Sequence, residues 1–188
     1  MILSSTTVNG AVSNDSNNNI TMSVGNTVIA NVNSSGLYFE SGKKAIYAGA
    51  VLQTVVTQNS TQYSGTSGSE TYLFSANITP QFASSKILVT IGVAAGVSGT
   101  AGNFAIWLRC RRGANTANTQ VAYQRFGRYE ASSVFREMFA ATTLIGLDSP
   151  NTTSSQAYGV FVENLDGTPP YSINNNGQSV IVLQEIAQ

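Results

Sequence analysis

Residues 87–94 read Ile-Leu-Val-Thr-Ile-Gly-Val-Ala, and this stretch decides the class of fold. Large branched residues occupy every second position and alternate with others that are mostly smaller or polar: Ile87, Val89, Ile91 and Val93 against Leu88, Thr90, Gly92 and Ala94. Successive side chains of a strand point to opposite faces, so this period of two predicts a β-strand with one buried face. The second face is not simply polar, which indicates that another subunit partly covers it.

The same alternation returns in residues 104–111, where one set is apolar and the other mixes an aromatic ring with cations. The two sets are Phe104, Ile106, Leu108 and Cys110 against Ala105, Trp107, Arg109 and Arg111. We expect Cys110 to be a small buried hydrophobe, with the arginines on the opposite strand face. Trp107 beside arginines indicates an outer face that takes part in a subunit contact.

Short segments of this kind recur along most of the chain, separated by Gly-, Asn- and Pro-containing turns. The predicted strands cover residues 50–57, 70–78, 85–95, 103–112, 119–126, 133–147, 156–164 and 179–186. Residues 133–147 also fit a helical stripe, but the run from Ala140 to Ile145 favours a strand. Many short strands at near-regular spacing predict an all-β fold, an antiparallel two-sheet sandwich or barrel.

Residues 1–41 differ from the rest, with few charges and sparse apolar residues. We predict a β-rich N-terminal segment (1–41), a connector (42–48) and a sandwich domain (49–188). The N-terminal segment has too little apolar surface to repay chain entropy alone, so it is either a disordered tail or a set of short strands that pair with copies of itself. The period of two favours the second interpretation. The expected contacts of a homotrimer are Ile20, Met22, Val24, Val28 and Val32, with Trp107 of the sandwich.

Composition excludes several classes of function. Nine basic and nine acidic residues give a net charge of zero, which offers no whole-chain attraction to nucleic acid. The absence of histidine and the single cysteine remove the usual general base and zinc ligands, so we expect no metal and no cofactor. The first residues lack a basic segment followed by an apolar core, so we expect no signal peptide and no membrane insertion.

Five segments resemble, in order, parts of bacteriophage tail-fibre and related virion proteins. Residues 27–44 resemble a short β unit that precedes the distal domain of those proteins, and residues 48–56 resemble the opening strand of that domain. Residues 78–89 (Ile-Thr-Pro-Gln-Phe-Ala-Ser-Ser-Lys-Ile-Leu-Val), 147–158 and 180–186 resemble three later landmarks.

The resemblance implies a trimeric, jelly-roll-like sandwich on a virus particle, assembled in the host cytoplasm with other capsid or tail proteins as partners. Only about forty residues precede the distal domain here, so a head position and a tail position both stay open. Two alternatives remain: a capsid cement protein that stabilises the head, and a lectin-like carbohydrate-binding module.

A ligand bound to the sandwich would contact its cationic and aromatic side chains. Six of the nine basic residues are arginines between 109 and 136, which would form either a patch for an anionic host glycan or a set of intersubunit salt bridges. The candidate ligand-binding residues are Tyr171, expected in a loop at the end of the sandwich, and Arg125, Arg128 and Tyr129. The carboxylate pairs Glu130–Glu137 and Asp148–Asp166 are better explained by pairing with arginine than by catalysis, so we expect no catalytic residue and no enzyme.

Overall fold

The structure is a computed structural model of the 188-residue chain. It describes residues 11–14, 20–24, 27–33, 36–39, 47–99, 102–130, 136–165, 170–175 and 177–188, without the side chains of 11–14, 20, 24, 33, 36, 38, 99, 102–104, 128–130 and 136. Every regular element in this part of the chain is a β-strand, and all paired strands run antiparallel. The predicted all-β class is confirmed.

The chain divides into two units, Met1–Ile46 and Tyr47–Gln188. The first unit contains a four-stranded sheet in sequential order, formed by β1 (Ala11–Asn14), β2 (Ile20–Val24), β3 (Thr27–Asn33) and β4 (Gly36–Phe39). Each strand therefore finds its neighbours within one chain. Ala30 is the buried apolar residue among the described side chains of this sheet, whereas Leu37 and Phe39 are exposed.

The second unit contains ten strands. They are β5 (Val51–Asn59), β6 (Tyr63–Gly65), β7 (Thr71–Ile78), β8 (Lys86–Gly99), β9 (Gly102–Arg112), β10 (Gln120–Glu130), β11 (Arg136–Asp148), β12 (Gln156–Asn164), β13 (Tyr171–Ile173) and β14 (Ser179–Ile186). All eight predicted strands have a counterpart, and the ambiguous segment 133–147, whose first three residues lie outside the described ones, overlaps β11. The three-residue strands β6 and β13 were not predicted, because they are too short to show a period.

The strand order identifies the second unit as a jelly roll. One sheet has the order β5–β14–β8–β11, and the other has the order β7–β12–β9–β10. Among the eight strands of these two orders, the chain stays in one sheet only from β9 to β10 and otherwise passes to the other sheet, and the two Greek keys that result define the jelly-roll sandwich. We call these the β8 sheet and the β9 sheet. The short paired strands β13 and β6 extend the β8 sheet beside the second half of β8.

The core lies between the two sheets and is built from the predicted inward residues. On β8, Ile87, Val89, Ile91 and Val93 are fully buried, and on β9 so are Ile106, Leu108 and Cys110. The sandwich is closed along one side, where β11 approaches β10. A Cβ atom at Gly146 would lie 2.6 Å from the carbonyl oxygen of Val121, so glycine is what permits this approach.

Candidate functional site

The outer face of the β9 sheet carries an aromatic pair, one ring exposed and one half-buried, beside a cation. Trp107 of β9 and Tyr123 of β10 meet edge to face, with ring centroids 5.5 Å apart and an interplanar angle of 64°. The guanidinium carbon of Arg109 lies 5.7 Å from the Trp107 ring centroid, within the range of a cation–π contact. These side chains meet because residues 107 and 109 share one face of β9, and Tyr123 is the register partner of Arg109.

Two arginines of this face are neutralised by glutamates of the same chain. Arg111 binds Glu70 in a bidentate pair, with Nε–Oε1 at 2.6 Å and Nη2–Oε2 at 2.8 Å. Arg109 pairs with Glu163 and also approaches Glu70, at 3.5 Å. The hydrogen bond from Arg111 to Glu70 raises the pKa of the guanidinium further above its ordinary value. This group of four residues, the arginine–glutamate cluster, therefore presents little net charge.

The sequence did not reveal these partners. Only Glu130 and Glu137 are close to the arginines along the chain, whereas Glu70 is 41 residues from Arg111 and Glu163 is 54 residues from Arg109. The arginines at 109 and 111 form salt bridges within one chain, because β12 pairs with β9 and β7 pairs with β12. A general attraction for anions is thereby reduced at these two positions.

The predicted ligand residues separate into two places. Arg125 is exposed on β10 and is the register partner of Trp107, so it joins the aromatic pair. Arg128 and Tyr129 lie further along β10, and their side chains are outside the described residues. Tyr171 is not in a loop: it begins β13 in the β8 sheet, and only 4% of its surface is exposed. Its predicted position was wrong, because β13 was not foreseen, and its binding of sugar stays a prediction.

The predicted trimer contacts are also separated. Met22, Val28 and Val32 are half-buried in the N-terminal sheet, and Trp107 is half-buried on the β9 sheet. The side chains of Ile20 and Val24 are outside the described residues, although their register partners are Val32 and Thr27. Contact between copies through any of these residues remains a prediction.

A buried polar group lies at one end of the sandwich, around Asp148. The Tyr158 hydroxyl donates a hydrogen bond of 2.8 Å to this carboxylate, and Arg112 lies 3.5 Å from the same oxygen. Burial, together with the nearby Asp148 charge, raises the pKa of the Cys110 thiol to about 12. Burial and the hydrogen bond to Asp148 raise the pKa of Tyr158 as well. A thiol held in its neutral form is a poor nucleophile, so Cys110 is not a candidate for catalysis. The hydrogen-bonded residues around Asp148 hold this end of the sandwich together.

A second buried carboxylate, Glu185 of β14, braces the same end. It accepts hydrogen bonds from the Gln53 side chain (2.7 Å) and from the backbone N–H groups of Gln81 (2.7 Å) and Phe82 (3.2 Å). Burial acts to raise the pKa of Glu185, but these hydrogen bonds outweigh it and the pKa is lowered. Glu185 therefore ties the start of β5 and the β7–β8 loop to the last strand.

The remaining acidic candidates are not gathered into a catalytic pair by the described residues. The Glu130 side chain and Asp166 are outside the described residues, and Asp148 is held by Tyr158 and Arg112. No group of three or more His, Cys, Asp or Glu side chains that could hold a metal ion occurs in the described part of the chain. None of the described elements is a helix long and apolar enough to cross a bilayer.

Comparison with known proteins identifies no family. No protein-family model matches the chain, and no curated protein matches it. Among solved structures, it is similar to the infectious bursal disease virus VP2 subviral particle (10% identity, 90% of this chain, 48% of that chain, TM-score 0.37). It is also similar to the structure of the Gx strain of that virus (13% identity, 94% and 50% coverage, TM-score 0.34). The chain spans about half the length of these structures, and similarities this weak do not bear on its function.

Proposed function

We propose that the chain is a structural protein of a bacteriophage particle, a homotrimeric appendage whose jelly roll is displayed on the virion surface. The observation that supports this most strongly is where the fibre-like segments lie in the fold. Residues 48–56, 78–89, 147–158 and 180–186 bring together the starts of β5 and β8, the β11–β12 turn and the end of β14. They meet at one end of one jelly roll, as parts of a single shared domain would.

The landmark segments also have a physical explanation at this end. Gln53, Gln81 and Glu185 belong to three of the segments and are joined through the Glu185 carboxylate. Asp148 and Tyr158 belong to the fourth and are joined directly. These residues hold the end of the sandwich together, so the resemblance concerns the architecture of a display domain and includes no catalytic group.

Two features support a trimer. The N-terminal sheet leaves Leu37 52% exposed and Phe39 40% exposed, which is unfavourable for a sheet this small in isolation. The sandwich exposes further apolar residues on the outer face of its β8 sheet, including Ile145, Leu147 and Val56. Association of copies would remove both surfaces from water.

The aromatic pair favours a second element of the proposal, contact with a host glycan. Tyr123 is 60% exposed, and together with Trp107 it presents rings on which the apolar faces of a sugar can stack. Arg125 beside them supplies a hydrogen-bond donor. Because Arg109 and Arg111 are already paired, we expect binding that depends on the rings more than on ligand charge.

The experiment that tests the virion role is incorporation into particles. If the chain is an appendage anchored by its first unit, deleting residues 1–41 should abolish incorporation. A cement protein would instead bind capsids through residues 49–188 alone. A free lectin-like module would keep full sugar binding without residues 1–41 and would be absent from purified particles, a result that contradicts the proposal.

A further inference from the structure

Exposed apolar side chains cross the whole width of the outer face of the β8 sheet, among uncharged polar ones such as Thr54, Gln58 and Gln184. Its most exposed side chains lie on the two outermost strands: Val51 (52%) and Val56 (59%) on β5, and Phe139 (47%), Ile145 (67%) and Leu147 (56%) on β11. Register places Val56, Val182, Thr90 and Ile145 in one row across the four strands. A patch that crosses an entire sheet is unusual on a protein that works as a monomer.

Charge is nearly absent from this face. Among the outward positions of the described strands β5, β14, β8 and β11, Lys86 and Glu137 are charged. They lie at opposite ends of β8, because Lys86 pairs with Ile186 whereas Glu137 pairs with Ser98. The contrast with the β9 sheet, whose outer face holds the arginine–glutamate cluster, gives the sandwich one apolar side and one polar side.

The outer face of the β8 sheet also has a depression and a protruding side chain. A depression of about 290 Å³ is lined mainly by small residues and one ring: Ala94, Ala95, Phe139, Ala140, Ala141 and Asn175. A Cβ atom at Gly96 would lie 2.3 Å from the Phe139 ring, so this ring lies directly over the glycine backbone. Ile145 protrudes from the same strand four residues beyond Ala141, which is about 13 Å along a strand.

We infer that this face binds a second copy of the chain, and this inference rests on the proposed trimer. The strand spacing and rise give the face an area of about 700 Å². Ile145 protrudes and the depression lies at a different place on the same surface, so in a closed ring of three copies each Ile145 meets the depression of the next copy. A nearly uncharged surface offers little to a strongly charged partner.

Thiol labelling of the full-length chain tests the inference. Ile145→Cys is compared with Ala117→Cys, a control in the loop between β9 and β10, since both positions are exposed in a single chain. The native Cys110 is fully buried and contributes little background. Rates are normalised to those in denaturant. We expect the Ile145→Cys thiol to react about tenfold more slowly than the control, whereas a ratio within threefold overturns the inference.

The solution mass separates failure of the surface from failure of the trimer. We expect Ile145→Asp to reduce the wild-type oligomer to single chains and Ala117→Asp to leave it intact, with circular dichroism showing that both variants are folded. A wild-type oligomer that persists in Ile145→Asp overturns the surface but leaves the trimer. A wild-type chain that is monomeric at every concentration overturns both.

Discussion

Replacing Glu185 by Gln should destabilise the sandwich by about 2 kcal/mol. The change keeps the shape of the side chain and removes its charge. Oε1 accepts both backbone hydrogen bonds, from Gln81 and Phe82, and Oε2 accepts the one from Gln53. Hydrogen bonds to a charged group contribute about 1.5–3 kcal/mol and neutral ones about 0.5–1.5, so each retained bond weakens by about 1 kcal/mol. The new side-chain N–H₂ group of the variant would also face the N–H₂ group of Gln53, and two hydrogen-bond donors would then oppose each other.

Urea unfolding followed by tryptophan fluorescence measures this loss, because Trp107 is the one tryptophan and lies in the sandwich. For a chain of this size, about 2 kcal/mol corresponds to a fall of about 4–8 °C in Tm. Protein concentration is kept constant, since association contributes to apparent stability. Glu137→Gln, at an exposed position, is the matched control and should change stability by less than about 0.5 kcal/mol.

The pH dependence provides a second check with a defined sign. The folded pKa of Glu185 lies below its ordinary value of 4.5, so the unfolded chain binds more protons near that pH. Stability from this carboxylate is therefore complete above pH 4.5 and is lost as the pH falls through the folded pKa. The gap between wild type and Glu185→Gln should be constant at neutral pH and shrink in acid. A Glu185→Gln variant as stable as wild type at pH 7 would refute the reasoning.

Three further predictions concern other groups. Asn174 is buried, has a φ of 60° and forms hydrogen bonds with Asn59, Thr61 and Ser179. Asn174→Ala should therefore lower the free energy of unfolding by about 3 kcal/mol, measured in urea. The control Asn175→Ala, at an exposed position, should change it by almost nothing. The Cys110 thiol should stay unreactive toward maleimide until the chain unfolds, and its raised pKa of about 12 should make stability fall as pH rises above 9. Glu70→Gln should cost about 1–2 kcal/mol by urea unfolding, because Arg111 loses a partly buried partner, and an unchanged midpoint would contradict the bidentate pair.

Much of the fold could be predicted from the sequence because the long strands carry a clear period. Strands β8 and β9 each have one apolar face with the expected buried residues, although Ala105 of the opposite set on β9 is buried as well. Strands β6 and β13 have three residues each, too few to show alternation, and Tyr171 was misplaced as a result. The order of strands in each sheet depends on contacts between distant segments and could not be predicted from the sequence, and the jelly-roll type was implied by the resemblance alone.

The candidate site was harder to predict from the sequence than the fold, since the residues that form it are far apart in the chain. Trp107 and the arginines were recognised as an unusual strand face, but Glu70 and Glu163 reach them through the pairing of β7, β12 and β9. The outer face of β8 was expected to be covered. That the apolar surface reaches Ile145 and Val56 follows only from the structure, in which β11 and β5 lie at the two sides of the same sheet.

The mass of the full-length chain in solution tests the central claim, that this jelly roll works as an association of copies. Light scattering over a wide concentration range, on the full chain and on a chain lacking residues 1–41, gives this mass directly. We expect a mass near three times 19.8 kDa for the full chain, and a mass near three truncated chains after the truncation, because the sandwich has its own contact face. A mass of one chain in both cases would contradict it.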